Sequence, residues 1–345
     1  MLSKIIQQSN IDHFAKWLNK AEKITIVTHL SPDGDAIGSA LGLMHYLDGQ
    51  DKEVNIVVPN AFPDFLQWMS GSQRIIRYDK HAEKANQVIA EADIICCLDF
   101  NNLKRIDNVA PAVAESPARK ILIDHHIDPE PFCGITISHP QVASTAELVF
   151  RLICRMGGFE DITLECAECI YTGMMTDTGG FTFNSNDREI YFIISELLSK
   201  GIDKDAIYRK VFNTYSEGRL RLMGHVLTHM QVYPEFRSAL ITLTKKEQQQ
   251  FDYKRGDSEG FVNMPLSIRG VKFSVFLRED TEKDMIKVSL RSTGEFPCNK
   301  VAADFFGGGG HLNASGGEVY GSMEEAIRRF KEAIIKYEPL LITKK

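Results

Sequence analysis

Eight positions between residues 29 and 177 combine imidazole and carboxylate at spacings that could hold metal ions. His29-x-x-x-Asp33-x-Asp35 lies where a buried strand-like run, ITIVTH, gives way to a helix-like run, AIGSALGLMHYL. A turn there brings one imidazole and two carboxylates together. Gly34 would let the backbone bend between the two acids, although Asp35 could equally serve as a cap for the helix that begins at Ala36. Asp99 closes ADIICCLDF, Asp124-His125-His126 closes KILIDHH, and Asp177 sits in TDTGGF after a helical run. So many carboxylates at one edge repel one another unless cations intervene. A mixed His/Asp set suits Mn²⁺ best and also admits Fe²⁺, Co²⁺ or Zn²⁺; Mg²⁺, which favours carboxylate and water, is a further option. Two such ions, about 3.5–4 Å apart, can stabilise both the attacking and the leaving oxygen of a phosphoester. No Ser–His or Cys–His nucleophile has to be invoked.

The elements that must position these groups alternate strand and helix. Ile11, Phe14 and Leu18 recur at helical spacing. EVNIVV, ADIICCLDF and KILIDHH read as strands, with a helix around 81–91, and 143–156 and 163–175 as further helices. That alternation argues for an open parallel sheet flanked by helices, and such sheets collect ligands at the carboxyl ends of their strands. Residues 187–230 look all-helical. After residue 236 four strand-like runs follow (RSALITLT, FVNMPLSI, VKFSVFLRE, MIKVSLRS), then a helix in NKVAADFF, a glycine run and a helix in MEEAIRRFKEAIIKY. The expected organisation is a metal-binding α/β domain over 1–195, a helical linker over 196–232 and a smaller mixed α/β domain over 233–345. In the latter, Gly307 to His311 (GGGGH) could cradle an anion with backbone amides, His311 adding a donor, or could be a hinge or a helix C-cap. No Gly-Lys-Ser/Thr follows, so it is not a P-loop. Arg291, at a strand end, could clamp a phosphate; Arg105, in DFNNLKRI, is another candidate phosphate contact.

Size and charge narrow the function. A chain of 345 residues exceeds what one core usually serves. The net charge is −6, and basic runs do not go beyond pairs such as Lys245-Lys246 and Arg328-Arg329. Gripping long duplex nucleic acid usually needs a basic surface, so small phosphorylated molecules or very short strands fit better. The seven cysteines form no disulfide-type framework. There is no signal-peptide h-region and no apolar run long enough for a bilayer, which reads as a reduced cytoplasmic protein with no membrane partner. Cys166-x-x-Cys169 lacks the second pair of a zinc ribbon, so these thiols and Cys96-Cys97 read as small buried residues.

HLSPDGDAIGSALGL, CLDF, DHH and TDTGGF, in this order, resemble the four motifs of the DHH phosphoesterase superfamily. VSLRS followed by FFGGGGHLNASGG resembles the DHH-associated substrate domain. The resemblance implies one metal on His29, Asp33 and Asp99 and another on Asp35, Asp99, His125 and Asp177, with Asp99 bridging. It implies that Asp124 orients a ligand histidine and that His126, beside the metals, binds phosphate or moves a proton. Arg291, Gly309, Gly310 and His311 would hold the substrate's terminal phosphate and nucleotide, with Asn313 a lesser contributor; Leu312 stands where many relatives carry Pro or Arg. The site would lie in an interdomain cleft, where a metal-bridging hydroxide attacks in line. Domain content disfavours the family's pyrophosphatases, RecJ-type exonucleases and membrane-anchored cyclic-dinucleotide phosphodiesterases. The compact two-domain group remains: oligoribonucleases that also dephosphorylate 3′-phosphoadenosine 5′-phosphate, with soluble cyclic-di-AMP or pApA phosphodiesterases as the alternative and a homodimer as a possible assembly. A non-catalytic nucleotide sensor fits less well, because every metal position carries a competent ligand.

Overall fold

The computed structural model of the chain describes residues 3–254 and 256–342. Its contacts divide the chain into two compact units, Met1–Thr214 and Tyr215–Lys345.

The first unit is built on a six-stranded sheet. Its strands are β1 (Lys23–Val27), β2 (Glu53–Val58), β3 (Ile76–Arg77), β4 (Ile94–Leu98), β5 (Arg119–Asp124) and β6 (Ile135–Ser138). They lie in the order β3-β2-β1-β4-β5-β6, and every neighbouring pair is parallel. Strand order reverses between β1 and β4, which opens a crevice at their carboxyl ends. Both sheet faces are covered, so the central strands are continuous apolar runs, as in wholly buried Ile94–Leu98. Successive residues feed opposite cores. Ile24, Ile26, Cys96 and Ile121 pack with α1 (Gln8–Leu18), α2 (Gly34–Asp48), α5 (Thr145–Arg155) and α6 (Leu164–Asp177). Val27, Cys97 and Leu122 pack with α3 (Tyr78–Ala90) and α4 (Ala110–Glu115). The cysteines of β4 and α6 are buried and unpaired, and burial pushes the Cys166 thiol up to about 12.

Helices α2 and α6 cross at backbone contact. Gly34, Gly38 and Gly42 form a stripe on α2 at four-residue spacing. A Cβ at Gly34 would fall 2.3 Å from Thr176 Oγ1, one at Gly38 2.6 Å from the Cys169 carbonyl oxygen, and one at Gly42 2.7 Å from Ile170 Cγ1. Gly34 therefore permits a close helix crossing rather than a bend between Asp33 and Asp35, and its φ is not left-handed. This crossing sets Asp35, near the start of α2, beside the end of α6, where Asp177 is the final residue.

Residues 196–232 do not form a body of their own. Helices α7 (Arg188–Ser199) and α8 (Lys204–Phe212) belong to the first unit, while α9 (Glu217–His229) packs Leu222 and Val226 into a core of the second. That second unit has a sheet of β7 (Gln231–Tyr233), β8 (Ser238–Leu243), β9 (Phe273–Glu279), β10 (Ile286–Ser292), β11 (Gly309–Gly310) and β12 (Ala314–Val319) in the order β11-β12-β10-β9-β8-β7. All its pairings are antiparallel except β8 with β9. Short α10 (Lys245–Gln250) follows β8; α11 (Cys298–Phe306), α12 (Met323–Lys336) and α13 (Glu338–Ile342) supply Val301, Phe330 and Leu341 to the other core. FVNMPLSI, expected as a strand, is a 3-10 helix over Phe261–Ser267 that buries Phe261 and Val262. Gly260 enters it in a left-handed conformation and Pro265 has no amide to give a ladder, so the segment coils instead of pairing.

Candidate metal centre

His29 lies two residues beyond the end of β1. Its Nδ1 lies 2.9 Å from the Leu30 carbonyl oxygen, which can only accept, so Nδ1 carries a proton and Nε2 is the nitrogen left to face the acids. That Nε2 is 3.4 Å from Asp99 Oδ2 and 3.8 Å from Asp33 Oδ1. Asp33, not Asp35, caps α2: its Oδ1 accepts from the amides of Asp35 at 3.1 Å and Ala36 at 3.0 Å. Asp35 is thereby released to face inward from the first turn of α2, where it is buried. Its carboxylate accepts from the Thr145 amide at 2.6 Å and the Ala146 amide at 2.9 Å, so the N-terminus of α5 holds it in place.

Asp99 is the centre of the cluster. It follows β4 with φ of +66°, a left-handed conformation uncommon outside glycine that Asp tolerates better than most residues. Its amide donates to Ile123, and its Oδ1 accepts from the Thr145 hydroxyl at 2.9 Å. One oxygen faces His29; the other lies 3.5 Å from His125 Nε2. His125, after β5, also has Asp177 Oδ2 at 3.5 Å and Asp35 Oδ2 at 3.8 Å. Two groups result, His29/Asp33/Asp99 and Asp35/His125/Asp177, each with ligand atoms within 4.8 Å of one another. Asp124 was expected to orient a ligand histidine. Its Oδ1 lies 2.7 Å from Nδ1 of His126, whose Nδ1 is in turn 3.8 Å from Asp99 Oδ1.

The charges bear on what the cluster would hold. Burial works against a proton on His29, but Asp33 and Asp99 outweigh it and raise its pKa to about 10. Burial likewise opposes protonation of His125, and Asp177 and Asp99 raise its pKa overall. Asp35 is pushed well above the usual carboxylate range, first by burial and then by Asp99 and Asp177. Burial would raise Asp33 and Asp99 too, but the histidines, His29 foremost, hold both below that range. The side chains thus need protons to tolerate one another, and divalent cations would replace those protons. Two further observations fit cations. The nitrogen-to-oxygen separations of 3.4–3.8 Å are too long for good hydrogen bonds, whereas two ligand atoms about 2.1 Å from one ion at a tetrahedral angle lie about 3.4 Å apart. Asp124 Oδ2, beside Asp99 and fully buried, has no hydrogen-bond donor among the described residues.

Thr145 was not singled out in the sequence. Its signal was Ser144-x-x-Glu147, a helix-start signature. Ser144 Oγ accepts from the Glu147 amide, Glu147 Oε2 accepts from the Ala143 amide, and buried Arg151 pins the other Glu147 oxygen. That cap fixes the amides that Asp35 uses. Arg105 lies near the loop after β1, its carbonyl accepting from the Leu30 amide at 2.7 Å.

In the second unit, Arg291 on β10 lies beside the β11–β12 turn that carries His311 and Asn313. Arg291 pairs in register with Ala314; the His311 amide donates to Ala314; Asn313 Oδ1 accepts from Ser292 Oγ at 2.9 Å. The glycine run is a helix cap continued as a strand. Gly307 closes α11 with φ of +59°, and Gly309 and Gly310 pair with Gly316 and Ser315.

Residues 23–174 match the DHH family, N-terminal domain, and residues 236–337 match the DHHA1 domain. The bifunctional oligoribonuclease and PAP phosphatase NrnA of Thermus thermophilus is 31% identical over 90% of this chain and 89% of its own length. The chain belongs to the DHH family. An exopolyphosphatase-related protein from Bacteroides fragilis, known from its crystal structure, is 70% identical to this DHH-family chain and superposes with a TM-score of 0.96, over 99% of this chain and all of its own. RecJ of Thermus thermophilus in complex with Mn²⁺ shares the fold, with a TM-score of 0.59 at 13% identity over 97% of this chain and 55% of its own. The DHH match spans β1 through most of α6, the elements that carry the cluster.

Proposed function

We propose that this DHH-family hydrolase cleaves phosphoesters of short oligoribonucleotides, releasing mononucleotides, and removes the 3′-phosphate of 3′-phosphoadenosine 5′-phosphate. The observation that carries the reading is Asp99 standing between two histidine–carboxylate groups at the carboxyl ends of adjacent parallel strands. His29, Asp33 and Asp99 would hold one divalent cation, and Asp35, Asp99, His125 and Asp177 a second, Mn²⁺ in preference to Mg²⁺, Fe²⁺, Co²⁺ or Zn²⁺. Bound there, the cations would supply Lewis acidity that activates water and offsets charge on the phosphoryl oxygens.

The chain's own part is to fix these groups in advance. The Leu30 carbonyl sets the His29 tautomer, the Thr145 hydroxyl orients Asp99, and the α5 amides orient Asp35. Asp124 occupies the Nδ1 side of His126, so His126 would meet a phosphate, or exchange a proton with it, through Nε2. Arg291, His311, Asn313 and the amides of Gly309 and Gly310 are the phosphate and nucleotide contacts we assign in the second unit, with Arg105 in the first. The net charge of −6 favours small substrates over long duplexes. Among the described residues, no helix is long and apolar enough to cross a membrane. Seven thiols suit a reducing compartment such as the cytoplasm.

Product release from a panel tests this, with Mn²⁺ and with EDTA: 3′-phosphoadenosine 5′-phosphate, pApA, cyclic-di-AMP, a five-nucleotide RNA, a long single strand and pyrophosphate. Preference for the short RNA and the bisphosphate, lost with EDTA and with Asp99→Ala, is the expected result. A preference for cyclic-di-AMP would leave the metal assignment standing and replace the substrate. Nucleotide binding without turnover under any metal would point to a sensor.

A further inference from the structure

The turn after α6 holds a feature that phosphate chemistry alone does not need. The chain from Asp177 to Asn184 is tightly fixed. Thr178 Oγ1 accepts from the Phe181 amide, the Phe183 amide donates to the Thr178 carbonyl at 2.9 Å, and the Gly180 amide donates to Met175 at 2.8 Å. Gly179, Gly180, Phe181 and Asn184 all take left-handed φ values, from +44° to +71°. This folding sends two nearby aromatic rings in different directions. Phe181 turns inward against Tyr171, with ring centroids 5.6 Å apart. Phe183 turns outward and stays 51% exposed. Its ring lies over Gly179, where an added Cβ would sit 2.6 Å from Cδ2. Among the described residues, no aromatic ring stacks on it.

The place of this ring suggests its occupant. Gly179 is two residues beyond Asp177, and two residues span at most about 7 Å of chain. Two other segments that carry the cluster also end in exposed apolar side chains: Leu30, after His29, is 41% exposed and Ile127, after His126, is 47% exposed. Apolar surface offers nothing to a phosphate. It does suit the face of a nucleobase, which stacks on aromatic rings without regard to base identity. We propose that Phe183, backed by Gly179, is a nucleobase platform that makes the site select phosphoesters carrying a base over inorganic pyrophosphate or polyphosphate. The proposal rests on the phosphoesterase reading above and deepens it.

A fluorescence titration with 2-aminopurine riboside 5′-monophosphate, on the Mg²⁺-loaded full chain, tests the platform without turnover. The wild type should bind and quench the base. Phe183→Ala and Phe183→Leu should bind about 10-fold more weakly with the quench reduced, and Phe183→Trp should restore both. Ribose 5-phosphate, which has no base, should compete equally well against the wild type and Phe183→Ala. Unchanged nucleotide affinity and quench in Phe183→Ala would overturn the platform while leaving the phosphoesterase reading intact. The same would follow if that variant changed only the oligomeric state, because the ring would then serve a contact between copies. A wild type that binds no nucleotide would instead defeat the phosphoesterase reading and the platform with it.

Discussion

Gly38→Ala is a single-methyl test of how the metal centre is built. The new Cβ would lie 2.6 Å from the Cys169 carbonyl oxygen, 2.7 Å from the Gly173 nitrogen and 2.8 Å from the Gly173 Cα. All three are backbone atoms of α6, so no side chain can rotate away. Ordinary contact begins at 3.4 Å, so the two helices must part by about 0.8 Å to admit a methyl into this close-packed crossing. Alanine gains about 1 kcal/mol of helix propensity over glycine, while overpacking of this kind costs about 1–3 kcal/mol. With three unyielding neighbours the upper part of that range applies, and the net loss is about 1–2 kcal/mol. The same displacement separates Asp35 on α2 from Asp177 on α6, both of which face His125. A shift of about 0.8 Å exceeds the roughly 0.2 Å tolerance of metal–ligand distances, so affinity at that ion should fall at least about 10-fold. Urea unfolding in EDTA reads the stability and calorimetric Mn²⁺ titration reads the affinity. Gly224→Ala in α9 is the control, since nothing lies within 4 Å of a Cβ there; it should be neutral or stabilising by up to about 1 kcal/mol. If Gly38→Ala matches that control in stability and keeps the wild-type Mn²⁺ affinity, the close crossing does not hold the site together.

Three other outcomes are expected. Thr145→Val keeps the shape of the residue but removes the hydroxyl that donates to Asp99; Mn²⁺ affinity should fall about 10-fold in calorimetry with the fold retained by circular dichroism. Chelation should lower the melting temperature of the unit holding residues 1–214 and leave that of the second unit in place, because only the first contains the cluster of opposed carboxylates; differential scanning calorimetry with and without EDTA separates the two transitions. Asp280→Asn tests the β9–β10 hairpin of the second unit. Burial raises the Asp280 carboxyl, but Lys287 and the amides of Lys283 and Glu282 outweigh it and bring it to about 2. A depressed carboxyl contributes stability above its unfolded value, and that stability is lost as pH falls through the folded one. The variant should therefore be less stable by about 2 kcal/mol at pH 7, with the gap to wild type closing below pH ~4, as read by urea unfolding across pH.

Much of the site could be read in the sequence, because each strand delivers its ligand at the end of an uninterrupted apolar run: ITIV before His29, IICCL before Asp99, ILI before Asp124. A parallel sheet buried on both faces requires such runs, and they cannot be mistaken for polar loops. The parts that were not legible depend on contacts between distant segments. Thr145 looks like an ordinary first helical residue until Asp35 and Asp99 are placed against it. Gly34 reads as a turn residue unless its four-residue spacing to Gly38 and Gly42 is noticed. FVNMPLSI has the apolar content of a strand, but Asn263 and Pro265 interrupt it and burial of Phe261 decides its form. ASGGEV is the reverse case: it looks like a loop yet becomes β12, because Gly317 must leave room for the Phe306 carbonyl, 2.6 Å from where its Cβ would be.

The scatter of the cluster along the chain has a consequence for synthesis. The His29/Asp33/Asp99 group is complete in sequence once Asp99 has emerged from the ribosome, whereas the Asp35/His125/Asp177 group waits for residue 177. Translation proceeds at about 5–20 residues per second, so the 78 residues after Asp99 up to and including Asp177 take roughly 4–16 s. The two halves of the centre thus become available one after the other, and the nascent chain acquires the full ligand set only when α6 has been made. A hydrolase assembled in that order holds only half of its centre until α6 is out, and completes the ligand set while the second unit is still being made.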